Sequence, residues 1–159
     1  LIRMVFRLAL PFLMLFAMAR CAGQVSQVGR GDGPVDFRTI LSGTSSAADT
    51  AAVYLIENSD QWRKTWRLAT GKIEPAPALP EIDFKSTVVV AAFMGEKTSS
   101  GHRIEIARII KSGQSLKVFV IHRSSSQGML LPVLTSPFHL VSIPKGKYKL
   151  EVKIEKVED

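Results

Sequence analysis

Apolar and polar positions follow three patterns along this chain, and each predicts a different environment. In YKLEVKIEK (148–156), Leu150, Val152 and Ile154 alternate with Lys149, Glu151, Lys153 and Glu155, the period of two that marks a strand with one buried and one wet face. HRIEIARII (102–110) sets Ile104 and Ile106 against Arg103 and Glu105 in the same way, and SLKVFVIHR (115–123) follows it after the turn Lys111-Ser112-Gly113-Gln114. TVVVAAFM (87–94) has no charged position and predicts a central strand, apolar on both faces. The third pattern is helical. In NSDQWRKTWRLATG (58–71), Trp62, Trp66 and Ala69 fall on one face at helical spacing, Asn58 is the N-cap with Gln61 as its capping-box partner, and Gly71 is the stop.

Three shorter runs, FRTILS (37–42), AVYLIE (52–57) and FHLVSI (138–143), read as further strands, and GTSSAADT (43–50) as a polar loop. KIEPAPALPEIDF (72–84) carries Pro75, Pro77 and Pro80 and reads as an extended connector. The turn Pro144-Lys145-Gly146-Lys147 places FHLVSI and YKLEVKIEK as a closing hairpin. The predicted class is α+β, a mostly antiparallel sheet packed by one main helix. Trp62 and Trp66 are expected to anchor that helix on the sheet; a stacking platform for a base or sugar is the sharper alternative.

The N-terminus is organised differently. Arg3 and Arg7 precede an uncharged stretch from Leu8 to Ala19, and small residues follow. That is the layout of a secretory signal peptide, too short for a permanent bilayer span of about 20 residues. The expected organisation is a signal peptide at 1–20, a glycine-rich linker at 21–36 and one domain at 37–157, and the chain is expected to be exported, either lipid-anchored or secreted. Without Arg3, Arg7 and Arg20 the formal charge drops from +7 to +4, a solubility feature that excludes a nucleic-acid footprint. Cys21 is the single cysteine, so no intramolecular disulfide is available. Its place directly after the apolar stretch makes it a candidate lipidation site and membrane tether, although Arg20 is unsuited to the position before an acylated cysteine. Arg30-Gly31-Asp32 within the linker matches an integrin-ligand tripeptide, a weak signal at that length.

No motif carries catalytic chemistry. Gly95 to Gly101 begins like a phosphate cradle, but its spacing is wrong, His102 stands where a P-loop has lysine, and HRIEI continues as a strand. Ser142-Ile143-Pro144-Lys145 satisfies Ser-x-x-Lys only formally, because Pro144 excludes the helix that chemistry needs. His102, His122 and His139 lack metal-ligand spacing, and partial exposure is expected for His122 and His139. Glu81 and Asp83 share one side of an extended chain without an acid or base partner, and Asp83 is expected to cap the turn into the next strand. Neither catalytic residue, cofactor nor metal is predicted. Recognition is expected in the loops at 95–101 and 124–137, with Lys97, Met129, Leu130 and Leu131 forming a partner-binding patch with a basic rim if both loops meet at one end of the sheet.

Pro80-x-Ile82-Asp83-Phe84, the strand TVVVAAFMG, the loop GEKTSSGHRIEI and TSPFHLVSIPK (135–145), in that order, resemble the PrcB C-terminal domain family, the protease-complex-associated polypeptide. The likeness extends over about residues 38–155 and includes the helix of Trp62 and Trp66; His102 departs from it, standing where a tyrosine is more familiar. The resemblance implies an exported envelope module, often a lipoprotein, whose namesake associates with a secreted subtilisin-like protease. The expected function is therefore that of a non-catalytic protein-binding accessory. The competing class is a small ligand-binding domain or cryptic hydrolase built on the same loops.

Overall fold

The computed structural model describes residues 31–126 and 130–158. They form α1 (Ser59–Thr70) and eight strands: β1 (Gly33–Pro34), β2 (Arg38–Gly43), β3 (Ala51–Ile56), β4 (Thr87–Met94), β5 (His102–Ser112), β6 (Ser115–Ser124), β7 (Phe138–Pro144) and β8 (Lys149–Glu158). The class is α+β as predicted, but the strands divide into two four-stranded sheets, a first of order β2-β7-β4-β3 and a second of order β1-β5-β6-β8.

The uninterrupted apolar run of β4 explains the layering. Its successive side chains point to opposite faces, and both faces are covered. Val88, Val90, Ala92 and Met94 join Ile104, Ile106 and Ile109 of β5, Leu116, Val118 and Val120 of β6, and Val141 and Ile143 of β7 in the core between the sheets. Val89, Ala91 and Phe93 join Phe138, Leu140, Trp62, Trp66 and Ala69 in a second core under the helix. The order across the molecule is helix, sheet, sheet.

The helix begins and ends where the sequence places it. Asn58 accepts the Gln61 N–H at 2.9 Å, and the Gln61 side chain accepts the Glu57 N–H at 2.8 Å. Gly71 ends the helix in ordinary right-handed geometry; a Cβ there would lie 2.8 Å from the Arg67 carbonyl oxygen and 3.1 Å from Ala47 Cβ, so the need for glycine is close packing. Both tryptophans are buried, and their indole N–H groups donate to the connector, Trp62 to the Pro80 carbonyl at 2.9 Å and Trp66 to the Pro77 carbonyl at 3.2 Å. The anchoring role holds. Buried rings with engaged N–H groups offer no stacking platform.

Three expectations need correction. The strands of 138–144 and 149–158 are not a hairpin: β7 already has β2 on one side and β4 on the other, so β8 crosses to the second sheet and pairs parallel with β6. Tyr148 packs on Gly146 and donates to the Pro144 carbonyl at 2.8 Å, which braces the crossing turn. Secondly, β8 does not bury its whole apolar face. Leu150 reaches the inter-sheet core, while Val152 and Ile154 stay 37% and 51% exposed. Thirdly, the fold starts inside the expected linker, because Gly33 and Pro34 pair with Lys111 and Ile110. Asp32 accepts the Gly113 N–H at 2.7 Å and lies 3.7 Å from Lys111 Nζ, so its largely exposed carboxylate is tied to the turn between β5 and β6. The segment expected to be a signal peptide, Cys21 and Arg30 lie outside the described residues, among which no helix is long and apolar enough to cross a membrane.

If the tryptophans hold the helix on the sheet, Trp66→Ala costs about 3–5 kcal/mol of stability, whereas Arg67→Ala on the exposed side of the same helix stays within about 0.5 kcal/mol. Denaturant titration of the two variants separates these outcomes.

Candidate functional site

The two loops singled out in the sequence are two of the crossings between the sheets. The chain leaves the first sheet at the end of β4 and returns to it at the start of β7, where Phe93 and Phe138 are register partners. It enters the second sheet at the start of β5 and leaves it at the end of β6, where His102 pairs with Ser124. Antiparallel pairing at both points puts the loops at one end of the sandwich. Gly95 makes the exit turn at φ +73°, and a Cβ there would lie 2.8 Å from Ala51 N, so glycine is required both for conformation and for space.

The loops are stitched together. Lys97 and Thr135 form an antiparallel bridge, with Lys97 N–H donating to the Thr135 carbonyl at 2.7 Å and Thr135 N–H returning to the Lys97 carbonyl at 2.8 Å. Ser100 N–H donates to the Leu131 carbonyl, and Leu131 N–H donates to Ser100 Oγ, both at 3.1 Å. Thr135 Oγ1 donates to the Ser99 carbonyl at 2.9 Å, and Ser125 N–H to the Gly101 carbonyl at 2.9 Å. The small hydroxyl residues of the first loop thus supply hydrogen bonds that fix the backbone of the second. Gly101 leaves room for Leu130, whose Cδ2 would be 2.8 Å from any Cβ placed there.

The braced segment displays apolar side chains. Leu131 is 53% and Leu134 66% exposed, with Val133 and Leu130 also open to solvent. Lys97, Leu130 and Leu131 of the predicted patch are therefore brought together; Met129 lies outside the described residues. Val133 and Leu134 belong to the same surface and were missed, although both occur in the apolar stretch LLPVL. Basic residues predominate around the root of the loops: Arg103 and Arg123 are register partners on β5 and β6, and Lys97 and Lys156 flank His122, with Glu158 the acidic residue of the same hollow.

The histidines serve the scaffold. His122 and His139 are buried, which corrects the expectation of partial exposure. They lie on inward-facing positions, because the parity of β6 and β7 is set by Val120 and Val141 entering the inter-sheet core. Burial, with Lys97 and Lys156 nearby, holds the His122 pKa below its ordinary value. His139 Nδ1 accepts the Ile106 N–H at 3.0 Å, so Nε2 carries the proton and donates to Thr39 Oγ1 at 2.9 Å. Both partners adjoin register shifts, in β5 between Ile106 and Arg108 and in β2 between Thr39 and Leu41. One neutral imidazole thus links the sheets beside both shifts, taking a backbone N–H on the β5 side and donating to a side-chain hydroxyl on the β2 side. Burial lowers its pKa, opposed by the Glu105 carboxylate. His102 on the rim is 3.2 Å from Ser124 Oγ.

The hollow between Met94, Lys97, His102, His122 and Lys156 is about 240 Å³, below the size of an ordinary small-molecule site. A roomier hollow, about 540 Å³, lies away from the loops between Trp62, Arg63, Leu79 and Asp83. Ser59 and Glu81 also line it, and three of its polar side chains are engaged. Trp62 donates to Pro80, Arg63 pairs with Asp60, and Asp83 accepts from Ser86 Oγ at 2.7 Å and from Lys85 N–H at 3.0 Å. Those bonds lower the Asp83 pKa, that of Ser86 foremost, and confirm its predicted role as a turn cap.

Acidification tests the histidine assignment. A histidine whose folded pKa is lowered stabilises the fold fully above its unfolded value, about 6.5, and that contribution is lost as pH falls from there toward the folded value. The melting temperature should therefore fall between about pH 7 and 5, well above the range in which Asp83 titrates. His139→Asn keeps an acceptor for the Ile106 N–H but cannot titrate. It should melt lower at neutral pH and lose less on acidification than the wild type, as calorimetry at the two pH values would show.

Residues that carried the family resemblance build this scaffold. Ile82 and Phe84 pack under the helix, Asp83 caps the turn into β4, and Ser136 Oγ donates to the Ala48 carbonyl at 2.6 Å while accepting from Ser46 Oγ at 2.7 Å. No curated protein and no solved structure matches the chain. A family model does: that of the PrcB C-terminal family matches residues 88–144, the segment from the second residue of β4 through both loops to the end of β7.

Proposed function

We propose that this chain is a non-catalytic protein-binding module of the bacterial envelope, an accessory to another exported protein. The observation that carries the proposal is the exposed apolar segment around Leu131 and Leu134, held in place by backbone hydrogen bonds to the neighbouring loop. A rigid loop presenting apolar side chains within a basic rim suits a partner surface with an apolar centre and acidic edges. A secreted subtilisin-like protease is the partner implied by the family resemblance. Export through residues 1–20 and a lipid tether on Cys21 complete this reading.

Leu131→Ser combined with Leu134→Ser tests the surface. Both side chains are mostly in water, so the melting temperature should be essentially unchanged, within about 0.5 kcal/mol per site. Serine-protease activity retained by the tagged wild type from its native envelope should be lost from the variant. A variant that unfolds, or one that retains the partner, counts against the assignment.

The intact mass of the protein recovered from an exporting host tests the remainder. A chain starting between Arg20 and Gln24 is expected, with added acyl mass if Cys21 is lipidated. A mass that includes Leu1 to Ala19 contradicts export.

A further inference from the structure

We propose that two copies of this chain associate through β8, edge to edge and antiparallel, about a two-fold axis at Val152. β8 is the outer strand of its sheet, ten residues long and free of bulges, and no strand among the described residues pairs with its second edge. The other open edges are poorer templates. β2 and β3 are six residues each, β2 carries a register shift, and the open part of β5 is interrupted by the shift whose Ile106 N–H is taken by His139.

The backbone sets which residues face outward. Lys149 N–H donates to Gln114 at 2.7 Å, toward β6, so by strand alternation Leu150, Val152, Ile154 and Lys156 direct their N–H and C=O groups to the free edge. An antiparallel partner must match these residues with one another. Centred on Val152, the pairing sets Val152 against Val152 and Leu150 against Ile154 on the core-side face. On the opposite face it sets Glu151 against Lys153 and Lys149 against Glu155. The charged pairs then occupy the non-hydrogen-bonded positions, where side chains stand closest.

Neighbouring registers fail. Moving the axis to Glu151 opposes that residue with itself and Lys149 with Lys153; moving it to Lys153 opposes that residue with itself and Glu151 with Glu155. Parallel in-register pairing opposes every charge with its own kind. Charges on an edge strand ordinarily block pairing, yet here this register turns the four charges from Lys149 to Glu155 into attractions. The same register covers Val152 and Ile154, the inner-face residues of β8 that the chain's own first sheet leaves exposed. The association does not depend on the loop surface proposed above.

Sedimentation of the full chain, purified from an exporting host, should show a dimer. Glu151→Lys alone or Lys153→Glu alone makes both symmetry-related contacts like-charged and should weaken the dimer about ten-fold or more, with the melting curve of the monomer retained. The double variant, Glu151→Lys with Lys153→Glu, rebuilds the complement and should return the dissociation constant to near the wild-type value. A wild type that stays monomeric at its highest soluble concentration overturns the proposal, as does a dimer unaffected by the single changes or not restored by the double one.

Discussion

Burial of β4 on both faces is the constraint on which the rest of the structure depends. A strand with Val88, Val90, Ala92 and Met94 on one side and Val89, Ala91 and Phe93 on the other is stable only between two covering layers. The helix, pinned by two indole N–H groups to the proline-rich connector, supplies one cover. The second sheet supplies the other. Each cover can then leave its own outer face in water, which is why charge alternates with apolar residues in β5 but not in β4.

Placing β4 and β7 side by side has two consequences. With β2 beyond it, β7 has no open edge, so the last strand must join the other sheet. The chain must also cross between sheets after β4 and before β7, and adjacent strands make those crossings neighbours. The loop surface and the free edge of β8 thus follow from the same arrangement, at different parts of the molecule. The bulges in β2 and β5 add a local cost of unpaired backbone groups, which the neutral His139 meets on the β5 side by accepting the Ile106 N–H. A histidine read from sequence as a partly exposed candidate is instead a structural hydrogen-bond bridge.

The residues behind the family likeness sit at joints of this framework. Asp83 closes the turn into β4, Ser136 ties the loop at 44–48 to the start of β7, and Gly101 admits Leu130 between the crossings. Their shared role is to hold loop roots, and the displayed side chains of Leu131, Val133 and Leu134 are separate from it. A fold maintained in this way can present different loop tips on the same joints.

Elements governed by neighbours in sequence could be read directly: the Asn58 cap, the helical face of Trp62 and Trp66, the two-sided burial of β4 and the turn cap at Asp83 all depend on contacts or periods within a few residues. The two loops could be picked out by composition, and their meeting could be framed as a condition. Strand partners could not be read. A period of two shows that β8 has an apolar face but is the same whether that strand completes a hairpin with β7 or pairs parallel with β6, because pairing depends on which edges remain open after β2, β4 and β7 have assembled. The burial of His122 and His139, the docking of Gly33 and Pro34, and the exposure of Val152 and Ile154 were decided likewise by the tertiary structure, since each depends on a surface brought from a distant part of the chain.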